Sequence, residues 1–377
     1  MTPQKPSTYS HWMLAEIFEQ PESLRNTLGQ YVRNGAFIPE ATMNAKIWLS
    51  NCDSEITFAA SGSSRHAALV AQSFFASAAG VLVNVDFASE YTLRGETEMK
   101  SLPLVVVSQS GQTADTLQAL RRANESQWSS LAVTNVADST MAREATVSVP
   151  LKAGIERAIP ATKSFTGQLL VLQILALLAA EANGYASKSE TRVALEDLSR
   201  LPEMVNDNLL VWHQDAQRIA EAYSDTNSFL FLGRGIHYPI ALEGALKMKE
   251  SAYIPAEGYP SGELKHGPNA LVAAGTALIV LCTVDPTERT SIQRYEKTVA
   301  LLQDLKEQGA ALICIANKND SVVAALADKL MLVPSVPEKQ AIFAETLCLQ
   351  LLSFCFAIQA GIDVDNPRNL VKSVFVE

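Results

Sequence analysis

The chain has no run of Lys or Arg, and its 30 basic residues are outnumbered by 40 acidic ones, for a formal charge of −10 at pH 7. A nucleic-acid surface needs clustered positive charge, so that class of function is excluded. A small anionic substrate must instead be drawn in by local groups, against the overall field. Cysteine is scarce as well. Cys52, Cys282, Cys314, Cys348 and Cys355 form no C-x-x-C pair and are odd in number. With apolar neighbours they read as buried, reduced thiols of a cytoplasmic protein. Zinc-ligand spacing, a Walker loop and a dinucleotide fingerprint are all missing, so no metal and no cofactor is expected. Met1–Ser10 is polar and lacks the basic-then-apolar order of a secretory signal. The longest apolar stretch, Leu169–Ala180, is broken by Gln173 and is too short to span a bilayer. It reads as a buried helix, and no membrane partner is expected.

What is present is enough for two cores: 377 residues, 48% of them hydrophobic. The most informative stretch is Ser108-Gln109-Ser110-Gly111-Gln112-Thr113. It follows an apolar run, Leu102–Val107, with the character of a buried parallel strand. It precedes Ala114–Ala123, which reads as a helix. Such a turn offers backbone N–H groups, hydroxyls, a glycine that lets an anion approach, and the positive end of a helix dipole. A phosphate monoester fits that inventory without any basic side chain. The plainer alternative is an ordinary strand-to-helix turn capped by Ser.

The chain is also written twice. Ile56–Ala60 leads to Ser61-Gly62-Ser63-Ser64-Arg65-His66, and Phe229–Leu232 leads to Gly233-Arg234-Gly235-Ile236-His237. Aligning Gly62 with Gly233 sets His66 opposite His237. Leu131–Asn135 before Asp138-Ser139 matches Leu312–Asn317 before Asp320-Ser321, with apolar strands ending near Pro150 and Pro334. Long apolar helices, about Thr162–Asn183 and Ala341–Gly361, close the halves. Alternating strands and helices predict an α/β chain with a doubly wound parallel sheet in each half. Ligands of such sheets bind at the carboxyl ends of the strands. Opposite the hydroxyl turn the second half has Cys282–Thr287, which lacks the Ser-x-Ser-Gly pattern. The phosphate site is therefore expected in the first half.

The second half offers proton chemistry. Glu243, Lys247 and Glu250 share one helical face by their spacing. The bland alternative is a solvated, ion-paired face. The segment 257–268 reads as a loop by its Gly and Pro content and carries His266, a side chain suited to proton transfer near neutrality. The tail 361–374 reads as polar, with Lys372 either solvated at a frayed end or functional.

These residues resemble the sugar isomerase (SIS) domain family, and within it the isomerase half of glucosamine-6-phosphate synthases. Ser61–Ser64, Ser108–Thr113, Ala241–Pro268 and Asp363–Glu377 carry the resemblance, which covers nearly the whole chain beyond about residue 12. Where the family often has Cys, this chain has Ser61. The resemblance implies two tandem flavodoxin-like, three-layer α/β/α domains. Their expected bounds are 41–189 and 216–360. A helical segment (1–40), a helical linker (190–215) and a lid-like tail (361–377) are expected around them.

It further implies that Ser108, Gln109, Ser110 and Thr113 hold a 6-phosphate, with Ser63, Ser64 and Val371 also at the substrate. Glu250 would shuttle a proton between C1 and C2, held and polarised by Glu243 and Lys247. His266 would open the sugar ring, contributed across a homodimer. Lys372 would face the open-chain carbonyl, where an amine can form a Schiff base. Family synthases carry a glutaminase domain whose nucleophilic Cys directly follows the initiator Met. Here Thr2 stands there and the first Cys is Cys52, so no glutaminase is expected. The implied reaction interconverts glucosamine 6-phosphate with fructose 6-phosphate and ammonia, as a deaminase or an ammonia-dependent synthase. Three other readings accompany it: a hexose-phosphate aldose–ketose isomerase, a synthase subunit served by a separate glutaminase, and a phosphosugar sensor.

Overall fold

The computed structural model describes residues 8–52, 54–95 and 102–372. The chain divides into two compact units. The N-terminal unit holds residues 19–156, 161–202 and 371–372; the C-terminal unit holds 8–18, 157–160 and 203–370.

A short hairpin opens the N-terminal unit: β1 (Val32–Arg33) and β2 (Ala36–Phe37), joined by Asn34-Gly35. Both turn residues have positive φ, +53° and +68°, the mirror-image turn that Asn-Gly favours. The sequence reading assigned this region only to helix. The main sheet contains β3 (Glu55–Ala60), β4 (Leu82–Phe87), β5 (Leu104–Ser108), β6 (Ser130–Thr134) and β7 (Val147–Pro150). All its pairings are parallel and its order is β4-β3-β5-β6-β7. The C-terminal unit repeats that order with β8 (Phe229–Gly233), β9 (Ala256–Pro260), β10 (Ala277–Leu281), β11 (Ala311–Asn317) and β12 (Lys329–Val333), as β9-β8-β10-β11-β12. The doubly wound, three-layer α/β/α expectation is thus met in both halves.

Central strands such as β5 (LVVVS) and β10 (ALIVL) are buried along their whole length, as a sheet covered on both faces requires. In the N-terminal unit, Leu104, Val106 and Ala132 pack against Leu117 and Leu120 of the helix Ala114–Glu125. In the C-terminal unit, Leu278, Val280 and Leu312 pack against Leu301, Leu302 and Leu305 of the helix Arg289–Glu307. All five cysteines are free and buried.

Two helices, Lys163–Ala182 (20 residues) and Glu338–Gln359 (22 residues), are long and apolar enough to cross a membrane. Both are mostly buried within the protein. The apolar stretch Leu169–Ala180, too short by itself to span a bilayer, lies within the first, and the more polar Lys163–Gln168 precedes it. That polar turn is itself buried, so the helix is longer than its apolar run.

The repeat needs one adjustment. β3 ends at Ala60 and β8 at Gly233, and the glycines of positive φ that follow are Gly62 (+54°) and Gly235 (+61°). Gly62 therefore matches Gly235 rather than Gly233. The partner of His237 is then Ser64, not His66. The segment expected to be a loop also begins as a strand: Glu257–Pro260 belong to β9, at the sheet edge. Pro260 is tolerated as its last residue, where a missing N–H costs no ladder bond.

Candidate active site

In both sheets the chain adds one strand to one side of the first strand and then crosses to the other. The order reverses between β3 and β5, and again between β8 and β10. Crevices at such reversals are where open α/β sheets take ligands.

At the first reversal, Ser108 ends β5 and the turn folds around its hydroxyl. Ser108 Oγ accepts from Gly111 N at 3.1 Å and lies 2.9 Å from Thr113 Oγ1. Ser110 Oγ accepts from Gln112 N at 3.2 Å. Gly111 has φ +62°, and a Cβ there would lie 2.1 Å from Ser139 Oγ, so only glycine fits. Asn135 N donates to Gln109 O at 3.1 Å, tying the turn to the end of β6. Thr113, not Ser, is the N-cap of Ala114–Glu125, and its side chain makes no cap bond. The N–H groups of that helix end therefore take no acceptor from the side chain of their own cap. On the neighbouring strand's turn, Ser63 and Ser64 are half-buried, and Ser64 Oγ accepts from Gln168 Nε2 at 2.9 Å.

Beyond β7 lies a carboxylate that the sequence reading missed. Glu156 is fully buried and accepts from Thr162 N and Ser164 N, each at 3.0 Å, and from Ser164 Oγ at 2.7 Å. Lys372 Nζ donates to its Oε2 at 2.6 Å. Burial alone would raise this carboxyl, but the Lys372 ammonium and the Ser164 bonds outweigh it and hold the pKa at about 2. A charged residue directly after Gly154-Ile155, leading into a long apolar helix, was the available signal. Lys372 is therefore ion-paired rather than frayed. Val371 beside it is exposed, and residues 373–377 of the tail lie outside the described residues.

The C-terminal unit holds the proposed proton-moving groups on the helix His237–Ala252. Glu243 and Lys247 are buried to 1% and 0% exposure, which rules out a solvated face. Lys247 Nζ donates to Glu250 Oε2 at 2.5 Å and is 3.4 Å from Glu243 Oε1. Glu250 keeps 23% of its side chain exposed. The three form a ladder in which one buried ammonium serves two carboxylates and only the last reaches solvent. His266 is not gathered with them. It ends the turn Glu263–His266, is exposed, and among the described residues has no hydrogen bond or ion pair to Glu250.

At the second reversal, residues not singled out from sequence form a closed network. His237 Nδ1 lies 2.9 Å from Glu345 Oε2, and its Nε2 lies 3.1 Å from Glu338 Oε1. Thr283 Oγ1 donates to Glu345 at 2.6 Å, Ser291 Oγ to Glu338 at 2.9 Å, and Arg294 Nε to Glu338 at 3.0 Å. Burial would lower the imidazole pKa, but the two carboxylates raise it to about 10. Glu338 is held at about 2, because His237 and Arg294 outweigh its burial.

This geometry can be set beside known proteins. The SIS domain matches residues 49–178 and 222–360. The chain belongs to the SIS domain family. Its two SIS domains carry the two strand-order reversals, one lined by turn hydroxyls and one filled by buried ion pairs. The glutamine–fructose-6-phosphate aminotransferase (isomerizing) of Bartonella quintana is 38% identical over 371 residues, and that of Pseudomonas putida 38% over 376. Each alignment takes in 98% of this chain but 59% of the relative, so the chain spans under two thirds of these relatives' length. The structure of the C-terminal domain of glucosamine-fructose-6-phosphate aminotransferase from Francisella tularensis superposes with a TM-score of 0.88 at 35% identity, covering 97% of this chain and 100% of that one. A Thermotoga maritima glucosamine-6-phosphate deaminase structure shares the fold at 23% identity, with a TM-score of 0.69 and coverage of 96% and 99%.

Proposed function

We propose that this SIS protein is an amino-sugar-phosphate isomerase, converting glucosamine 6-phosphate and water to fructose 6-phosphate and ammonia, and the reverse. One observation carries the reading. The buried Lys247 ammonium lies 2.5 Å from Glu250, the one carboxylate of the ladder open to solvent. That arrangement suits a group that takes a proton from one carbon and returns it to the next. The names of the aminotransferase relatives support the same substrate class.

In this reading Ser108, Gln109, Ser110 and Thr113 hold the phosphate, with Ser63, Ser64 and Val371 bordering the sugar. His266, exposed in its loop, opens the ring in the site of a second copy, so that a homodimer is the working form. Glu250 then moves the proton between C2 and C1, while Lys247 stabilises negative charge on the sugar oxygens as it develops. In the amino sugar this step leaves an imine at C2, and water releases it as ammonia and the ketone. In the reverse direction the Lys372 amine meets the ketone carbonyl. The reduced thiols suit a cytoplasmic setting.

The test is an incubation of the purified protein with glucosamine 6-phosphate, following ammonia and fructose 6-phosphate together. Equal release of both is expected. Glu250→Gln should remove turnover while calorimetry shows phosphosugar binding nearly unchanged. Full activity in that variant would exclude Glu250 as the base. Turnover of glucose 6-phosphate without ammonia release from the amino sugar would leave an isomerase without nitrogen chemistry.

A further inference from the structure

Helices very often end on a glycine in the left-handed region, because it carries no Cβ. The helix His237–Ala252 ends instead on Tyr253, at φ +57° and ψ 23°. A bulky side chain in that conformation is an outlier, and it persists where its surroundings hold it. Here the partner is the tail. Tyr253 Oη accepts from Arg368 N at 2.7 Å, and the Arg368 guanidinium stacks 4.3 Å from the ring centroid. Glu250, Tyr253, Arg368, Asn369 and Leu370 together line a cavity of about 390 Å³. Just upstream, Asp365 is fixed in turn, accepting from Trp12 N and Met13 N at 3.0 and 3.3 Å.

We propose that Tyr253 is a positioning residue. Its side chain clamps the tail at Arg368, so that the segment carrying Lys372 leaves from a fixed point on the end of the helix that bears Glu250. The choice of residue supports this. Glycine would meet the backbone requirement with less strain, but it would offer the tail neither ring nor hydroxyl. The kinetic part of the proposal rests on the isomerase reading above.

The decisive variant is Tyr253→Gly, because glycine suits φ +57° and a purely structural role predicts an equal or higher Tm. We expect that Tm, together with faster hydrogen exchange of the amides of Asn366 and residues 368–372. We also expect kcat for glucosamine 6-phosphate to fall by about tenfold or more, with KM changed by less than about twofold, as when a reacting group is misplaced after binding. Tyr253→Phe keeps the ring and loses the hydroxyl, and should lie between the two. Unchanged exchange in 366–372, an unchanged kcat, or a kcat loss that follows a fall in Tm would each overturn the proposal. Glu250→Gln separates the two readings. If wild type and Glu250→Gln are equally inactive, the isomerase reading fails and the kinetic role of Tyr253 falls with it. The exchange measurement then decides the clamp alone: faster exchange in Tyr253→Gly sustains it, and unchanged exchange overturns it.

Discussion

Between β3 and β5 the chain arranges hydroxyls and backbone amides around Ser108; between β8 and β10 it places His237, Glu338 and Glu345. Both positions stand at the same reversal of strand order, and both keep hydroxyl donors after the central strand. In the first SIS domain those hydroxyls bond within their own turn. In the second, Thr283 and Ser291 donate to buried carboxylates of the chain itself. An internal carboxylate needs no ligand but does need a cation, and His237 and Arg294 provide it. A duplicated fold can thus keep its turn hydroxyls to themselves in one copy and commit them to buried ion pairs in the other.

The comparison breaks most directly on Glu250→Gln, whose expected loss of turnover leaves both reversals intact. Next is His237→Ala. It leaves two buried carboxylates short of a partner and should cost about 3–5 kcal/mol of stability, read as a lower Tm with KM for phosphosugar unchanged. The pH dependence of stability sharpens the same contrast. The pKa of His237 is raised to about 10 in the folded protein, so its stabilisation is complete below its ordinary value of 6.5 and disappears as pH rises through 10. The pKa of Glu338 is lowered to about 2, so its stabilisation is complete above 4.5 and disappears as pH falls toward 2. Glu156 gives the N-terminal unit an acid limb of the same kind. Thermal melts between pH 6.5 and 10 should therefore weaken the C-terminal unit, and His237→Ala should flatten that limb.

Gly111→Ala tests the hydroxyl-lined turn. With φ +62° and a Cβ 2.1 Å from Ser139 Oγ, the turn must deform, costing about 1–3 kcal/mol, and phosphosugar affinity should fall. The mildest change is Ser110→Ala. It removes one hydroxyl from the turn and should weaken phosphosugar binding by about 0.5–1.5 kcal/mol in calorimetry, with Tm nearly constant. If Ser110→Ala instead lowered Tm as much as His237→Ala, the contrast between the two reversals would be lost.

Much of this was legible in the sequence because it is written in periodicity and turn chemistry. Apolar runs bounded by glycine turns gave the strands, and the repetition gave the paired sheets. Ser108–Thr113 stood out because hydroxyls and a glycine lie between a strand and a helix, a pattern that an ordinary capped turn shares. Spacing placed Glu243, Lys247 and Glu250 on one face, but spacing says nothing of burial, which decides that Lys247 is not a surface lysine. The partners of Glu156 and His237 were out of reach for a different reason. Lys372 is 216 positions from Glu156, and Glu338 is 101 from His237; no local pattern encodes such pairs. The alignment of Gly62 with Gly233 erred because both turns contain small residues, and only strand ends and φ values choose between Gly233 and Gly235.

The cap on the first helix has a consequence for how the chain is made. At the start of Trp12–Phe18 the backbone N–H groups of Trp12 and Met13 donate to the Asp365 carboxylate, 353 positions away from Trp12. Contacts between neighbours in the chain can form early in synthesis, but this helix start lacks its acceptor until Asp365 has been made. Asp365→Ala would thus be felt first at Trp12 and Met13, and protease sensitivity near Trp12 would report the missing acceptor.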